Sequence, residues 1–224
     1  MNLKRAMLLV GSPRGVKSNS HSLGTYLMGR LEDRRVKTTT WFTQDVIKSE
    51  DKMEEFLEEL DGSDLIVMAF PLYVDSIPAM NIRLMEIIAD HRKGSTDQKR
   101  FMGIVNSGFP EKEQNETALR ICRQFSREAN MEWTGGLALG GGMVIGARPL
   151  KEIGGMVRNI TKAIDMAAAD LVRGNPISMD AKGKMKVPFS SRFVFSKFAN
   201  RFWKKMANSN GVRERIDDRP YERE

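Results

Sequence analysis

Short runs of apolar and β-branched residues alternate along the chain with segments in which apolar residues recur every three or four positions. The short runs predict β-strands at residues 6–10, 36–42, 64–70, 101–105 and 133–139. The periodic segments predict helices at residues 20–35, 51–60, 113–129 and 150–172, with a further helix that begins near Pro78. Strands that alternate with helices form parallel sheets that carry helices on both faces. The pattern therefore predicts an α/β fold with five parallel strands.

The regular pattern ends near residue 172, and the charge balance of the chain changes at the same place. The 224 residues include 36 Lys and Arg against 29 Asp and Glu, which gives a formal charge of +7. Thirteen of the basic residues but only six of the acidic ones lie in residues 173–224, so residues 1–172 are electrically balanced. We predict a globular domain over residues 1–172 and a basic C-terminal tail over residues 173–224.

Cysteine and histidine are scarce, which limits the redox and metal chemistry of the chain. One cysteine, Cys122, excludes an intramolecular disulfide and a four-cysteine iron–sulfur cluster, and with only His21 and His91 it excludes a Cys/His zinc site. We expect no metal site. Cys122 lies in phase with apolar residues of its predicted helix, so we interpret it as a core residue. The apolar runs are too short for a membrane span or a signal peptide, which makes a cytoplasmic protein the default expectation.

The loop after the first predicted strand, Gly11-Ser-Pro-Arg-Gly-Val-Lys-Ser-Asn-Ser20, joins a buried strand to the beginning of a helix. Hydroxyl, amide and main-chain donors lie there next to the positive end of a helix dipole, an arrangement that favours phosphate binding. The alternative is an ordinary turn, rich in Ser and Asn, with a helix cap. Both interpretations fit this loop when it is taken alone.

Other phosphate motifs do not fit the same loop. Val16 occupies the position of the second glycine of a nucleoside-triphosphate loop, and Pro71 follows the third strand where an acidic residue would hold magnesium. The dinucleotide fingerprint fails because Gly11 is followed by Ser, Pro and Arg. The end of the first strand also lacks the acidic residues of a phosphate-receiver domain. We therefore expect none of these three kinds of site.

Three loops, in this order along the chain, resemble those of a known family. Gly-Ser-Pro-Arg…Ser-Asn-Ser follows the first strand, Pro71-Leu-Tyr-Val-Asp-Ser-Ile-Pro78 the third, and Asn106-Ser-Gly-Phe-Pro-Glu111 the fourth. They resemble the phosphate loop, the Pro-Leu-Tyr turn and the flavin-edge loop of the flavodoxin-fold NAD(P)H-dependent FMN reductase family. The resemblance covers residues 3–172. It implies a three-layer, doubly wound, five-stranded parallel sheet with the order 2-1-3-4-5, which the basic helical tail follows.

The resemblance also implies which residues bind FMN. Those expected to hold the FMN phosphate are Ser12, Arg14, Ser18, Asn19 and Ser20. Those expected to line the isoalloxazine ring are Pro71, Leu72, Tyr73 and Val74, and those expected to meet its polar edge are Asn106, Ser107, Gly108 and Phe109. No catalytic acid or base is implied, because the flavin performs the chemistry and the protein orients it. Related iron–sulfur flavoproteins use a compact Cys cluster, which this chain lacks.

The function that this resemblance implies is an FMN-dependent oxidoreductase. Such a protein takes hydride from NADH or NADPH onto flavin N5 and passes electrons to a quinone, a nitro compound, free flavin or a protein acceptor. The alternative is a flavodoxin-like electron carrier that binds FMN and does not react usefully with NAD(P)H. The nicotinamide preference and the electron acceptor are left open by the sequence.

A glycine run, Gly140-Gly-Gly-Met-Val-Ile-Gly146, follows the fifth strand and precedes the last predicted helix of the domain. It either approaches the flavin and shapes the entrance for the nicotinamide, or it is a flexible turn. The sequence leaves both interpretations open.

The tail predicts an amphipathic helix at about residues 191–208. The residues of its apolar face are Phe195, Phe198, Ala199, Phe202 and Met206, and those opposite are Lys197, Arg201 and Lys204. We favour docking on the same subunit or on a neighbouring copy, because exposed aromatic faces are costly, and we expect a homo-oligomer. An anionic membrane surface is the second interpretation. No nucleic acid is expected, because no readout motif is present.

Overall fold

The computed structural model of the chain describes residues 3–187, 192–219 and 221–222. Its strands are β1 (Arg5–Val10), β2 (Lys37–Phe42), β3 (Leu65–Pro71), β4 (Lys99–Asn106) and β5 (Met131–Leu139). They pair in parallel in the order β2-β1-β3-β4-β5. Both the five parallel strands and their order are confirmed.

Helices cover both faces of this sheet. They are α1 (Asn19–Glu32), α2 (Thr43–Ile47), α3 (Glu50–Asp61), α4 (Ala79–His91), α5 (Glu116–Glu128), α6 (Leu150–Ile153), α7 (Arg158–Val172) and α8 (Met179–Lys184). Alternate residues of β1 point to opposite layers: Met7 joins the core with Phe56 of α3, and Leu8 lies against Gly24 of α1. Because β1 is buried on both faces from Ala6 to Val10, these five residues are all apolar.

The predicted helix over residues 150–172 is wrong as a single element. Leu150–Ile153 ends at Gly154, whose φ of +75° interrupts the helix, and a 3-10 turn (Gly154–Val157) separates it from α7. The apolar period continues through this break, since Leu150, Val157 and Ile160 are all buried. Periodicity alone therefore did not reveal the interruption.

The chain divides into two compact units, Met1–Pro188 and Phe189–Glu224, so the first unit extends beyond the boundary expected after residue 172. The extension belongs to the first unit because the N–H of Ile177 donates to the Thr134 carbonyl of β5 at 2.8 Å. Ala181 and Met185 are also fully buried. The C-terminal unit, Phe189–Glu224, contains α9 (Arg192–Ser209). Residue 191, where this helix was predicted to begin, and the side chain of Phe198 lie outside the described residues.

Three buried cationic side chains near the amino end of β4 donate hydrogen bonds to main-chain carbonyls at the ends of three helices. Arg92 donates to the carbonyl of Ala129 just after α5, Lys99 to the last residue of α3, and Arg100 to the penultimate residue of α7. Positive side chains at these helix ends interact favourably with the helix dipoles. The contacts anchor the edge of the sheet that lies opposite the site described next.

Within the described ranges, no helix combines the length and the apolar character needed to cross a bilayer.

Candidate functional site

The loops that follow β1, β3, β4 and β5 meet at the carboxyl edge of the sheet. The connection that leaves β1 runs to β2 on one side, and the connection that leaves β3 runs to β4 on the other, so the strand order reverses between β1 and β3. Ligands of open parallel sheets bind outside the carboxyl ends of the strands at such a reversal. The predicted site residues lie on three of these loops, at the last residues of β3 and β4, or at the beginning of α1.

The loop after β1 delivers main-chain donors to the beginning of α1. The N–H of Gly11 donates to Ala69 of β3 at 2.8 Å, which aligns the loop with the sheet. Ser18 caps the helix by accepting from the N–H of His21 at 3.1 Å. The N–H groups of Asn19 and Ser20 have no acceptor earlier in the helix, because they belong to its first turn. The loop therefore presents two free amide donors together with the positive end of the α1 dipole.

Three of the side chains expected to hold a phosphate instead bind the protein itself. The Ser18 hydroxyl donates to the Gly15 carbonyl at 2.6 Å. The Asn19 amide donates to Gly142 at 2.8 Å and accepts from the N–H of Ala147 at 2.9 Å. The Ser20 hydroxyl accepts from Asn106 at 2.9 Å. At Asn19 and Ser20 the main-chain N–H groups, rather than the side chains, remain free for an anion.

Ser12 and Arg14 differ in how open they are. The Ser12 hydroxyl is buried and accepts from the N–H of Arg14 at 3.4 Å. The Arg14 side chain is exposed, and it makes no ion pair with any carboxylate in the described part of the chain. Arg14 is therefore free to bind an anion through a charge-assisted hydrogen bond.

The loop after β3 is a tight reversal with a strained tip. Tyr73 and Ser76 exchange main-chain hydrogen bonds of 3.0 Å in both directions. Between them Val74 has a φ of +47° and Asp75 a φ of +58°. A β-branched residue is unfavourable in this left-handed region, and the Val74 side chain is 99% exposed. The tip therefore exposes the apolar Val74 side chain to water, and its main chain adopts a conformation that is unfavourable for valine.

The loop after β4 is held in place by the loop after β5. Gly141 donates to the Phe109 carbonyl at 2.6 Å, and Gly142 donates to the Ser107 carbonyl at 2.8 Å. A Cβ on Gly140 would lie 2.4 Å from the Pro110 carbonyl oxygen. The glycine run is therefore tightly packed against the loop after β4 and is not a flexible turn.

Exposed apolar side chains concentrate around this edge. Among the described residues of the first unit, the exposed large apolar side chains are Val16, Tyr73, Val74, Phe109 and Met179. All but Met179 lie on the loops that follow β1, β3 and β4. We call the other four the apolar rim. Large exposed apolar groups that cluster in this way mark a binding surface.

Two buried asparagines that the motifs did not single out also hold the loops of the site in place through hydrogen bonds. Asn81, in the first turn of α4, is fully buried and donates to the Gly11 carbonyl at 2.9 Å. Asn115 donates to the Ser107 hydroxyl at 3.3 Å and to the Leu139 carbonyl at 3.4 Å. The side-chain carbonyl oxygen of each asparagine is buried without a partner. The signal that could have revealed Asn81 is a polar residue on the inner side of a helix, where burial requires a partner.

Cys122 and His21 are titratable side chains with structural roles. Burial raises the pKa of the Cys122 thiol to about 12, and the residue lies in the core, so its predicted core role is confirmed. Burial lowers the pKa of His21, whose ring stacks on Phe42 with the ring centroids 5.8 Å apart. Among the described residues, no group of three or more His, Cys, Asp or Glu is arranged to hold a metal ion.

Comparisons with known proteins bear on the fold. No family model matches the chain, and no curated protein matches it in sequence. A similar solved structure is an FMN-dependent NADH-azoreductase from Bacillus anthracis in complex with FMN, with 12% identity, a TM-score of 0.53, and coverage of 76% of this chain and 100% of that chain. Another is an oxidoreductase from Corynebacterium diphtheriae, with 16% identity, a TM-score of 0.54, and coverage of 77% and 97%. A third is a short-chain flavodoxin associated with a bacterial microcompartment, with 12% identity, a TM-score of 0.51, and coverage of 77% and 99%.

At this level of identity the comparisons establish the fold. Together with the strand order β2-β1-β3-β4-β5, they show that the protein has a flavodoxin-like α/β fold.

Proposed function

We propose that the protein binds FMN across the loops that follow β1, β3 and β4, and that it is an FMN-dependent oxidoreductase supplied by NADH or NADPH. One observation carries the proposal: free amide donors and the apolar rim lie at the same edge of the sheet. FMN has the matching shape, since its anionic phosphate lies at one end and its planar ring at the other. A fold of this kind hosts several functions, so the proposal rests on the site.

The phosphate end of FMN fits the beginning of α1. The free N–H groups of Asn19 and Ser20 can donate hydrogen bonds to an anion there, and the helix dipole favours negative charge. Arg14 adds a positive charge without a carboxylate partner, and the Ser12 hydroxyl lies beside it. Ser18, Asn19 and Ser20 then act mainly through the main chain, because their side chains hold the surrounding loops.

The ring end of FMN fits the apolar rim. Tyr73 and Phe109 are 44% and 59% exposed, so their apolar surface is available to a planar molecule. Pro71 and Leu72 are half-buried between these two loops, and the Leu72 N–H is tied to the Asn106 carbonyl at 2.9 Å. A Cβ on Gly108 would meet open space, so this main-chain segment is accessible to polar ring atoms.

The residues of this chain would bind and orient FMN, which would supply hydride acceptance at N5 and electron transfer to an acceptor. No acid or base is required from the protein for that exchange. The apolar rim remains exposed, which leaves this edge open to a second planar molecule such as a nicotinamide, a quinone, a nitro compound or free flavin. A protein acceptor would contact the same rim.

Anaerobic mixing of the FMN-loaded protein with NADH and, separately, with NADPH tests the reductase activity. We expect the visible absorbance of the flavin to bleach with at least one nucleotide. Oxidised flavin that persists with both nucleotides, and is nevertheless reduced by dithionite, would show the electron carrier instead.

Arg14→Ala tests the phosphate assignment, and Arg34→Ala is its matched control. Arg34 is exposed just beyond the opposite end of α1, so its removal changes the net charge equally. Loss of a charge-assisted hydrogen bond should raise the Kd for FMN about tenfold in Arg14→Ala. The Kd should stay unchanged in Arg34→Ala. Equal effects of the two substitutions would contradict the assignment.

A further inference from the structure

The helix α9 of the C-terminal unit carries positive charge and no acidic residue. Residues 192–212 contain five Lys and Arg and no Asp or Glu. The helix α9 ends at a glycine turn, in which Gly211 has a φ of +69°. The N–H of Val212 donates back to the Ala207 carbonyl at 2.9 Å and that of Gly211 donates to Asn208 at 3.1 Å. This pattern of bonds reverses the chain at the helix end.

The reversal brings Arg213 beside the basic face of α9. A groove of about 620 Å³ forms there, lined by Lys197, Asn200, Arg201, Lys204, Lys205, Asn208 and Arg213. No acidic residue is among the described residues that line it. We call it the cationic groove.

The charges of the cationic groove lack carboxylate partners. Among the described residues, none of its five Lys and Arg side chains forms an ion pair. Directly after the groove, Arg215 pairs with Asp218 and Arg219 pairs with Glu222, each at 2.8 Å. Asp218 and Glu222 therefore neutralise arginines that lie outside the groove. Five close positive charges repel one another, and an anionic partner would relieve that repulsion.

Apolar side chains lie exposed on the same face. Phe193 precedes Lys197 by four residues and Arg201 by eight, so all three lie along one side of α9. The Phe193 ring is 67% exposed, with the Lys197 ammonium 4.3 Å from its centroid, and Val194 beside it is 43% exposed. Val212 and Ile216, which lie on either side of Arg213 in the sequence, are also exposed.

We propose that the C-terminal unit docks on an anionic lipid surface through the cationic groove and Phe193. Interfacial helices combine basic residues that meet lipid phosphates with aromatic and aliphatic residues that enter the acyl boundary. A nucleic acid would use the five cations but offers little to Val194, Val212 and Ile216. A protein partner would need its own cluster of carboxylates. Lipid headgroups and acyl chains satisfy both features of this face at once.

Sedimentation of the full-length protein with vesicles tests the proposal. We expect binding to vesicles of phosphatidylcholine mixed with phosphatidylglycerol, loss of that binding as salt is raised, and no binding to phosphatidylcholine alone. Each basic residue near an anionic surface contributes about fivefold in partitioning, so Lys204→Ala with Lys205→Ala should weaken binding about 25-fold. Phe193→Ala should weaken it as well.

Arg215→Ala with Arg219→Ala is the matched control. It removes the same charge from the same unit, but from residues that already pair with carboxylates. Binding should change far less than in the lysine double variant. Circular dichroism should show unchanged helix content in both, because all four side chains are exposed.

Several outcomes would overturn the proposal. Failure to bind anionic vesicles, equal binding to neutral vesicles, or equal weakening by the two double variants would each contradict it. Binding to nucleic acid, or self-association that requires Lys204 and Lys205, in the absence of vesicle binding would assign the groove to that other partner.

Discussion

Asn81 of α4 donates through Nδ2 to the main-chain carbonyl of Gly11 at 2.9 Å. This bond joins the helix that follows the loop after β3 to the beginning of the loop after β1. The contact is close enough to require glycine, since a Cβ at position 11 would lie 2.2 Å from Nδ2 of Asn81. The loops after β1 and β3 are therefore coupled through one buried amide.

Substitutions at Gly11 and Asn81 should be strongly non-additive. Gly11→Ala should lower the free energy of unfolding by about 1–3 kcal/mol through overpacking. Asn81→Ala should lower it by about 1–3 kcal/mol through loss of a buried hydrogen bond. The double variant should lose less than the sum by about 1 kcal/mol or more, because Asn81→Ala removes the atoms that a Cβ at position 11 would meet.

Guanidinium unfolding of the four proteins measures this coupling. Gly29→Ala is the control, because a Cβ there meets nothing within 4 Å, and its effect should add to that of Asn81→Ala. Additive effects of Gly11→Ala and Asn81→Ala would contradict the close contact.

The two buried arginines at the amino edge of the sheet should differ in how much stability is lost when each is replaced by methionine. Arg92 donates to the carbonyls of Ala129 and Asn130 and to Asp97, so Arg92→Met should cost about 3 kcal/mol. Arg100 donates only through Nη1, and its Nε and Nη2 are buried without partners.

Burial lowers the pKa of Arg100, which reflects the cost of keeping its charge out of water. Arg100→Met should therefore leave the free energy of unfolding within about 1 kcal/mol of the parent, or raise it. Chemical unfolding compares the two variants, and an equal loss in both would show that Arg100 is satisfied as fully as Arg92.

Asp97 should give the protein a stability contribution that disappears in acid. A hydrogen bond from Lys99, and then one from Arg92, lower the pKa of Asp97. A carboxyl group whose pKa is lower in the folded state stabilises fully above its unfolded pKa of about 3.9, and loses this effect as pH falls through the folded value.

Asp97→Asn should accordingly reduce the free energy of unfolding at neutral pH by no more than about 1 kcal/mol, since the side chain is 52% exposed. The gap between variant and parent should narrow below a pH of about 4. Urea unfolding across this range measures the gap, and a gap that is constant with pH would contradict the ion pairs with Lys99 and Arg92.

Val74 should be replaceable with a gain in stability. Its φ of +47° is unfavourable for a β-branched residue but is tolerated by asparagine. Val74→Asn should raise the free energy of unfolding by about 0.5–1 kcal/mol, as thermal or chemical unfolding would show. Asp75→Asn, at a φ of +58°, should change little and serves as the control. A loss of stability in Val74→Asn would mean that the exposed valine makes a contact that offsets its strain.

The layered architecture was accessible to sequence reasoning because buried parallel strands are continuously apolar. Leu65–Pro71 is such a strand, β4 contains the uncharged run 101–105, and the helix α4 between them keeps a regular apolar period. The break at Gly154 was missed because the apolar period passes through it. The extension of the first unit to Pro188 was missed because its evidence is tertiary: Ile177 pairs with Thr134, far from it in sequence.

The site was accessible at the level of loops and less so at the level of atoms. Motifs located Arg14, Tyr73 and Phe109 on converging loops, and these side chains are exposed there. They did not reveal that the side chain of Asn19 would form hydrogen bonds with the main chain of Gly142 and Ala147. Which partner a polar side chain takes depends on elements brought together only by folding.

Titration with FMN and, in parallel, with riboflavin tests the central claim most directly, because the two ligands share the ring and differ in the phosphate. The account predicts that FMN perturbs its visible spectrum on binding and saturates at equimolar flavin. Riboflavin should bind at least about tenfold more weakly, because it offers no anion to Arg14 and the beginning of α1. Equal affinity for the two flavins would contradict the phosphate site, and no spectral change with either flavin would contradict the flavin assignment itself.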